Sequence, residues 1–173
     1  FHLYTIIIGA QTLHATGYAM GVQRDGNVGT GDDDRDTAVI AYFGDGAANQ
    51  AYFFECLNFA KVLGLPVVFV CENNQYGEYT PTEAVTPGGI LPRAAVLEIP
   101  TRTVDGMDVW AVRDVASEVV ERARSGEGPH FVEAATYRFV GHSRSDPGKY
   151  RPDGELDRWK EHDPLVVAAT RLQ

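Results

Sequence analysis

The stretch spanning residues 37–74 constrains the fold more than any other part of this chain. Thr37 to Phe43 is β-branched and apolar and reads as a buried strand. Gly44-Asp45-Gly46 follows at once. Asn49 to Leu63 then reads as a helix, with Phe53, Leu57 and Ala60 on one face, Lys61 in its last turn and Gly64 as its terminator. Pro66, tolerated at a strand's first residue, opens a second buried strand from Val67 to Cys71. Strand, helix and strand in so short a span make a βαβ unit, which requires a parallel pair joined by a right-handed crossover.

The flanking elements extend that unit. Gln11 to Gln23 reads as a helix of small and apolar residues, and Asn27 to Asp36 as a loop whose aspartates form a solvated surface rather than a metal site. Glu78 to Pro100 carries four prolines and little periodicity and reads as an irregular excursion. Thr101 to Val104 is a third strand. Asp108 caps a helix to Arg124 that places Val109, Val112, Ala116, Val119 and Ala123 on one face. Phe131 to Tyr137 is a further strand, Phe139 to Pro152 a polar loop, and Glu155 to His162 and Leu165 to Leu172 are closing helices, Pro164 lying near the start of the second. The sum is an α/β chain: one domain over residues 1–173, built on an open, mostly parallel sheet with helices on both faces.

Composition narrows the function classes. The 173 residues are 44% hydrophobic and 23% charged, as in ordinary globular chains. Fifteen Lys and Arg against 24 Asp and Glu give a net charge of −9, which argues against a nucleic-acid backbone or an anionic membrane surface as main partner. Val67 to Val70, among the longest aliphatic runs, is far too short to span a bilayer, and no signal peptide opens the sequence. Cys56 and Cys71 form no CxxC and no disulfide framework, so they read as core residues of a protein in a reducing cytoplasm. Trp110 and Trp159 read as packing residues. The sequence begins with Phe1 rather than Met and reads as a fragment.

In open α/β sheets ligands bind at the carboxyl ends of the strands. Asp45 follows the first strand of the βαβ unit and Asn74 the second, 29 positions apart, which sets both at one sheet edge. The glycines at 44 and 46 let backbone approach a phosphate without a Cβ in the way. The helix after Gly46 offers free N–H groups and the positive end of its dipole. A diphosphate held there keeps excess negative charge for a hard cation to neutralise. Magnesium takes a carboxylate, an amide oxygen, a carbonyl and phosphate oxygens, and Asp45, Asn74 and a carbonyl in the turn after Asn74 supply that set.

Gly44-Asp45-Gly46, twenty-six residues, then Asn73-Asn74 resembles the thiamine-diphosphate motif. Four longer blocks narrow the resemblance: Gly44 to Gln50 (GDGAANQ), Cys71 to Gly77 (CENNQYG), Val104 to Asp108 (VDGMD) and Thr136 to Gly148 (TYRFVGHSRSDPG). Together they resemble the alpha subunit of the thiamine-dependent 2-oxo acid dehydrogenases, the first components of the pyruvate, branched-chain and acetoin complexes. The resemblance implies a thiamine diphosphate-binding fold. It implies that Asp45, Asn74 and the Tyr76 carbonyl hold Mg2+, and that Gly46 and Ala47 meet the diphosphate through backbone N–H groups. It implies that His142 reaches a terminal phosphate oxygen and borders the reaction centre, as the catalytic residue of this chain, and that backbone at Ile6 and Ile8 touches the aminopyrimidine ring. Ser143 matches a position phosphorylated in some members, and His2 stands in a context similar to a family histidine near the active-site entrance.

The same resemblance implies an oxidoreductase that decarboxylates a small 2-oxo acid and passes the acyl unit to a lipoyl-bearing acyltransferase core. A glutamate of the beta subunit would pair with the aminopyrimidine, making this chain half of a site in an α2β2 assembly. GDGAANQ and CENNQYG favour pyruvate; branched-chain 2-oxo acids and acetoin are the alternatives, with a different thiamine enzyme, a sulfopyruvate- or transketolase-like half, as a rival. The family's region before Phe1, and a glycine-rich stretch before Gly9, are absent, which marks a truncated chain and opens a reading of another class: a non-catalytic assembly subunit or fragment.

Overall fold

The computed structural model describes residues 5–173, so His2 lies outside the described residues. The elements follow in the order α1 (Ala10–Arg24), β1 (Val39–Gly44), a 3-10 turn (Asp45–Asn49), α2 (Ala51–Leu63), β2 (Val67–Asn73), β3 (Tyr76–Gly77), β4 (Thr80–Pro81), α3 (Thr82–Val85), α4 (Leu91–Ala95), β5 (Thr101–Asp105), α5 (Val109–Arg124), β6 (His130–Ala135), α6 (Glu155–Lys160) and α7 (Pro164–Arg171). Four strands form one all-parallel sheet in the order β1-β2-β6-β5, and β3 and β4 make a separate short antiparallel ribbon.

The alternation of side chains along β2 divides the core into two layers. Val67, Phe69 and Cys71 pack with Ala15 and Ala19 of α1 and with Phe53, Leu57 and Ala60 of α2. Val68 and Val70 pack with Val119 and Ala123 of α5. Helices therefore cover both faces, as the sequence reading requires. Phe43, Phe53 and Phe131 form an aromatic knot in the first layer, with ring centroids 5.3–6.2 Å apart. Burying each of these rings stabilises the fold by about 1.5–3 kcal/mol. α2 ends where expected: Gly64 takes φ 61, and its N–H donates to the Lys61 carbonyl. Asp108 caps α5 by accepting the N–H groups of Trp110 and Ala111.

Several boundaries differ from expectation. The helix expected from Asn49 is broken: Gln50 is extended (φ −76, ψ 142), so a 3-10 turn over Asp45–Asn49 precedes α2. A tight turn against the sheet edge prevails there over continuous helix. The excursion at 78–100 is partly ordered, holding β4, α3 and α4. The buried stripe of α5 runs through Val112, Val115, Val119 and Ala123, leaving Val109 and Ala116 exposed. Two Val residues four apart along α5, Val115 and Val119, are drawn to the apolar sheet face, and that rotates the helix away from the stripe expected. Cys56 and Cys71 are buried and free. Trp159 stacks on Tyr137 at 5.0 Å, and Trp110 lies under the Arg171 guanidinium at 4.8 Å. Among the described residues no helix is long and apolar enough to cross a membrane.

Candidate functional site

The parallel registers bring the strand ends together. Gly44 pairs with Glu72, Asn73 with Ala135, and Asp105 with Ala135, so β1, β2, β6 and β5 all finish at one edge. Asp45 is the first residue past β1 and is only 2% exposed. Its Oδ2 accepts the Thr82 hydroxyl at 2.5 Å, and no ion pair reaches it among the described residues. A buried carboxylate without a cation is costly, so the position favours a bound positive charge. Beside it, Gly46 and Gly77 lie side by side: a Cβ on either would make ordinary van der Waals contact with the other's Cα at 3.7 Å, and one on Gly77 would stand 3.9 Å from Asp45 Oδ2. The first N–H groups of the Asp45–Asn49 turn have no partner within that turn.

The segment after β2 is held in an uncommon conformation. Gln75 and Glu78, neither of them glycine, both take left-handed backbone (φ 75 and 57), which costs free energy and persists only when neighbours impose it. At Gln75 the two asparagines impose it. Asn73 Oδ1 accepts Gln75 N–H and Asn74 Oδ1 accepts Tyr76 N–H, each at 3.1 Å. Thr82 completes the tie, its N–H donating to the Gln75 carbonyl while its hydroxyl holds Asp45. Asp45, Asn74 and the backbone of Tyr76 and Gly77 are thus gathered at one place. No cluster of three His, Cys, Asp or Glu side chains suited to a metal exists among the described residues. A cation at this place would rest on one carboxylate, neutral oxygens and oxygens of a ligand, a set that suits magnesium.

The loop at 136–154 reaches the same turn through arginines. Arg138 Nη1 donates to the Tyr76 carbonyl at 3.4 Å, and Nη2 donates to the Glu78 carbonyl and, at 2.8 Å, to the Tyr150 hydroxyl. His142 is exposed; its Nδ1 lies 3.3 Å from Arg138 Nη1 and its N–H donates to Asp146 at 2.7 Å. Burial alone would raise the Asp146 carboxyl, but N–H donors from Gly148 and His142 outweigh it and hold the group below its ordinary range. Arg151 donates to the carbonyls of Arg138 and Val140. Tyr76 is buried, and its hydroxyl donates to Glu155 of α6; burial first, then that carboxylate, push the phenol up to about 12. Burial, with carboxylates of Glu133, Asp45 and Glu72 nearby, likewise pushes the Cys71 thiol far up, which leaves it a packing residue rather than a nucleophile.

Of the residues expected from sequence, Asp45, Gly46, Ala47, Asn74 and Tyr76 come together, and Arg138 links His142 to them. Ile8 is held to α2, its carbonyl accepting the Tyr52 hydroxyl from the first turn of that helix. Ile6 is 95% exposed and stands apart. Ser143 is exposed, its hydroxyl 3.2 Å from that of Ser145. Sequence reading missed Thr82, Arg138, Asp146 and Glu155 as supports. Arg138 and Asp146 lie inside the quoted Thr136–Gly148 block and could have been singled out there; Thr82 and Glu155 lie in segments with no distinguishing pattern.

The family model described as "Dehydrogenase E1 component" matches residues 1–173. The chain is 44% identical over 168 residues to the pyruvate dehydrogenase E1 component subunit alpha of Rhizobium meliloti, covering 96% of this chain and 46% of that protein. It is 40% identical over 171 residues to the 3-methyl-2-oxobutanoate dehydrogenase subunit alpha of Mycobacterium tuberculosis, covering 98% of this chain and 44% of that one. It therefore spans less than half the length of these relatives. Among solved structures, transketolase from Campylobacter jejuni superposes with a TM-score of 0.67 at 15% identity, over 95% of this chain and 27% of that one, which shows a shared fold.

Proposed function

This chain belongs to the dehydrogenase E1 component family, and on that premise we propose that it is the diphosphate- and cation-holding part of a 2-oxo acid dehydrogenase alpha subunit. The observation that carries the reading is the buried carboxylate of Asp45, which no ion pair reaches among the described residues, set beside Gly46, Gly77 and the Asn74–Tyr76 turn. In this reading Asp45, the Asn74 amide oxygen and the Tyr76 carbonyl hold Mg2+. Gly46 and Ala47 N–H groups face the diphosphate of thiamine diphosphate, and His142 meets a phosphate oxygen from the 136–154 loop. The Ile8 carbonyl, held near the start of α2, is the better placed of Ile6 and Ile8 to border the pyrimidine end. When bound, the cofactor supplies the carbon nucleophile and the electron sink for decarboxylation; the chain's own residues anchor its charged end.

Pyruvate is the first substrate to test, because the pyruvate-type relative above is the more similar of the two; a branched-chain 2-oxo acid is the second. The full assembly is an α2β2 tetramer whose beta subunit contributes the glutamate for the aminopyrimidine, serving a lipoyl-bearing acyltransferase. Two buried free cysteines suit a reducing compartment, the cytoplasm in a bacterium. Calorimetric titration of thiamine diphosphate into the chain, with and without Mg2+, tests the reading. The expected result is Mg2+-dependent binding that Asn74→Ala abolishes. No binding even with a beta subunit present overturns it and leaves a non-catalytic assembly role.

A further inference from the structure

The Tyr76 side chain does something that the cation reading alone does not require. Its backbone carbonyl accepts from Arg138, while its ring is buried and packs 5.3 Å from the Tyr150 ring and 6.4 Å from the Tyr137 ring. At the far end its hydroxyl sits between both oxygens of Glu155, at 2.9 and 3.0 Å. Glu155 is the first residue of α6, and the same helix sends Trp159 flat onto Tyr137. α6 has no fully buried residue, and Glu155 ties it to the turn through the Tyr76 hydroxyl. The side chain is therefore a lever with one end at the carbonyl and the other in a carboxylate clamp 79 positions along the chain. The lever matters because Tyr76 is bracketed by left-handed Gln75 and Glu78, a backbone that needs outside support to keep one orientation. Arg138 takes one lone pair of the carbonyl at 3.4 Å, and a carbonyl oxygen has a second.

We propose that Glu155 is a positioning residue for the cation site: by accepting the Tyr76 hydroxyl it fixes the direction of the Tyr76 carbonyl, and so sets the octahedral geometry that Mg2+ demands. The proposal rests on the reading that Asp45, Asn74 and the Tyr76 carbonyl hold that ion. Mg2+ needs near-ideal geometry at short distance, whereas Ca2+ accepts a looser and more variable oxygen shell. Loosening the lever therefore penalises Mg2+ more than Ca2+, a selectivity change that general destabilisation does not produce.

The test is calorimetric titration of Mg2+ and of Ca2+ into the full chain with thiamine diphosphate present, for wild type, Glu155→Ala, Tyr76→Phe, the double variant and Glu155→Gln. Tyr76→Phe keeps the ring and its packing and so serves even where Glu155→Ala folds poorly. The expected result is a loss of up to about tenfold in Mg2+ affinity for either single variant, a ceiling set by one hydrogen bond to a charged group, because that bond forms without the ion as well. Ca2+ affinity should change much less, the double variant should be no weaker than the singles, and Glu155→Gln, which keeps an acceptor, should recover most of the loss. Wild type that binds Mg2+ while the variants keep an unchanged ratio of Mg2+ to Ca2+ affinity overturns the positioning role alone. Wild type that binds neither ion overturns the cation reading, and this proposal with it.

Discussion

Thr82→Val isolates the side-chain hydrogen bond that the buried Asp45 carboxylate accepts among the described residues. The Thr82 hydroxyl donates to Asp45 Oδ2 at 2.5 Å, and both residues are buried. Valine keeps the β-branched shape and removes only the donor, leaving an acceptor that water cannot easily reach. A hydrogen bond to a charged group contributes about 1.5–3 kcal/mol, and an orphaned buried acceptor costs at least as much as the bond it loses. The loss expected is thus about 2 kcal/mol, which for a chain of this size lowers Tm by roughly 4–8 °C. Urea unfolding followed by circular dichroism, without Mg2+ or cofactor, measures it; the m-value should not change, because the unfolded surface does not. Thr82→Ser keeps the hydroxyl and should restore most of the loss. The backbone bond from Thr82 N–H to the Gln75 carbonyl survives both changes, so the local turn is not at issue. A loss under about 0.5 kcal/mol, within the range of ordinary surface substitutions, would mean that Asp45 is hydrated or otherwise satisfied, and the argument for a cation at its carboxylate would fall.

Three further expectations follow from the geometry. Gly46→Ala should leave stability almost unchanged, since its Cβ would meet only Gly77 Cα at 3.7 Å, yet weaken thiamine diphosphate binding roughly tenfold if the diphosphate meets that backbone; calorimetry beside a melting curve separates the two. Gly106→Ala should destabilise the chain by about 2–3 kcal/mol, because its Cβ would lie 2.3 Å from Thr136 Cγ2 and 2.9 Å from the Ala135 carbonyl oxygen, and urea unfolding reads the loss directly. His130 is buried, its Nε2 has no partner among the described residues, and desolvation holds its pKa below the ordinary histidine value. The unfolded chain therefore binds the proton first, so the stability His130 contributes is present above about pH 6.5 and is lost as pH falls toward the lower folded value. Unfolding free energies measured across that window should slope less in His130→Gln; equal slopes would refute the assignment.

The fold was legible where burial imposes a period. β2, buried on both faces between α2 and α5, shows as a continuous apolar run, and the Gly64 stop of α2 shows as glycine where left-handed backbone is needed. Legibility failed where competing demands fall on a few residues. Gln50 is a good helix former, yet it is extended because the Asp45–Asn49 turn must bend against the sheet edge before α2 can run along it. In α5 the valines at 109, 112, 115, 119 and 120 outnumber what one stripe can hold, so spacing alone did not decide which of them the sheet would cover.

The site divides in the same way, for a related reason. Asp45, Gly46, Asn74 and Tyr76 carry the demanding chemistry, and few residue types offer a carboxylate, a missing Cβ or an amide oxygen at a strand end, so their identity and spacing stand out. What keeps them in place is generic. A hydroxyl donor to Asp45, a guanidinium between two carbonyls or a carboxylate on a phenol can be supplied from any segment that reaches the turn, and here they come from α3, the 136–154 loop and α6. Such supports become visible only once the chain is folded, because what defines them is proximity across 37 to 79 positions rather than any local pattern. It follows that substitutions at Thr82 or Glu155 should alter the site through its geometry while leaving every recognisable motif intact.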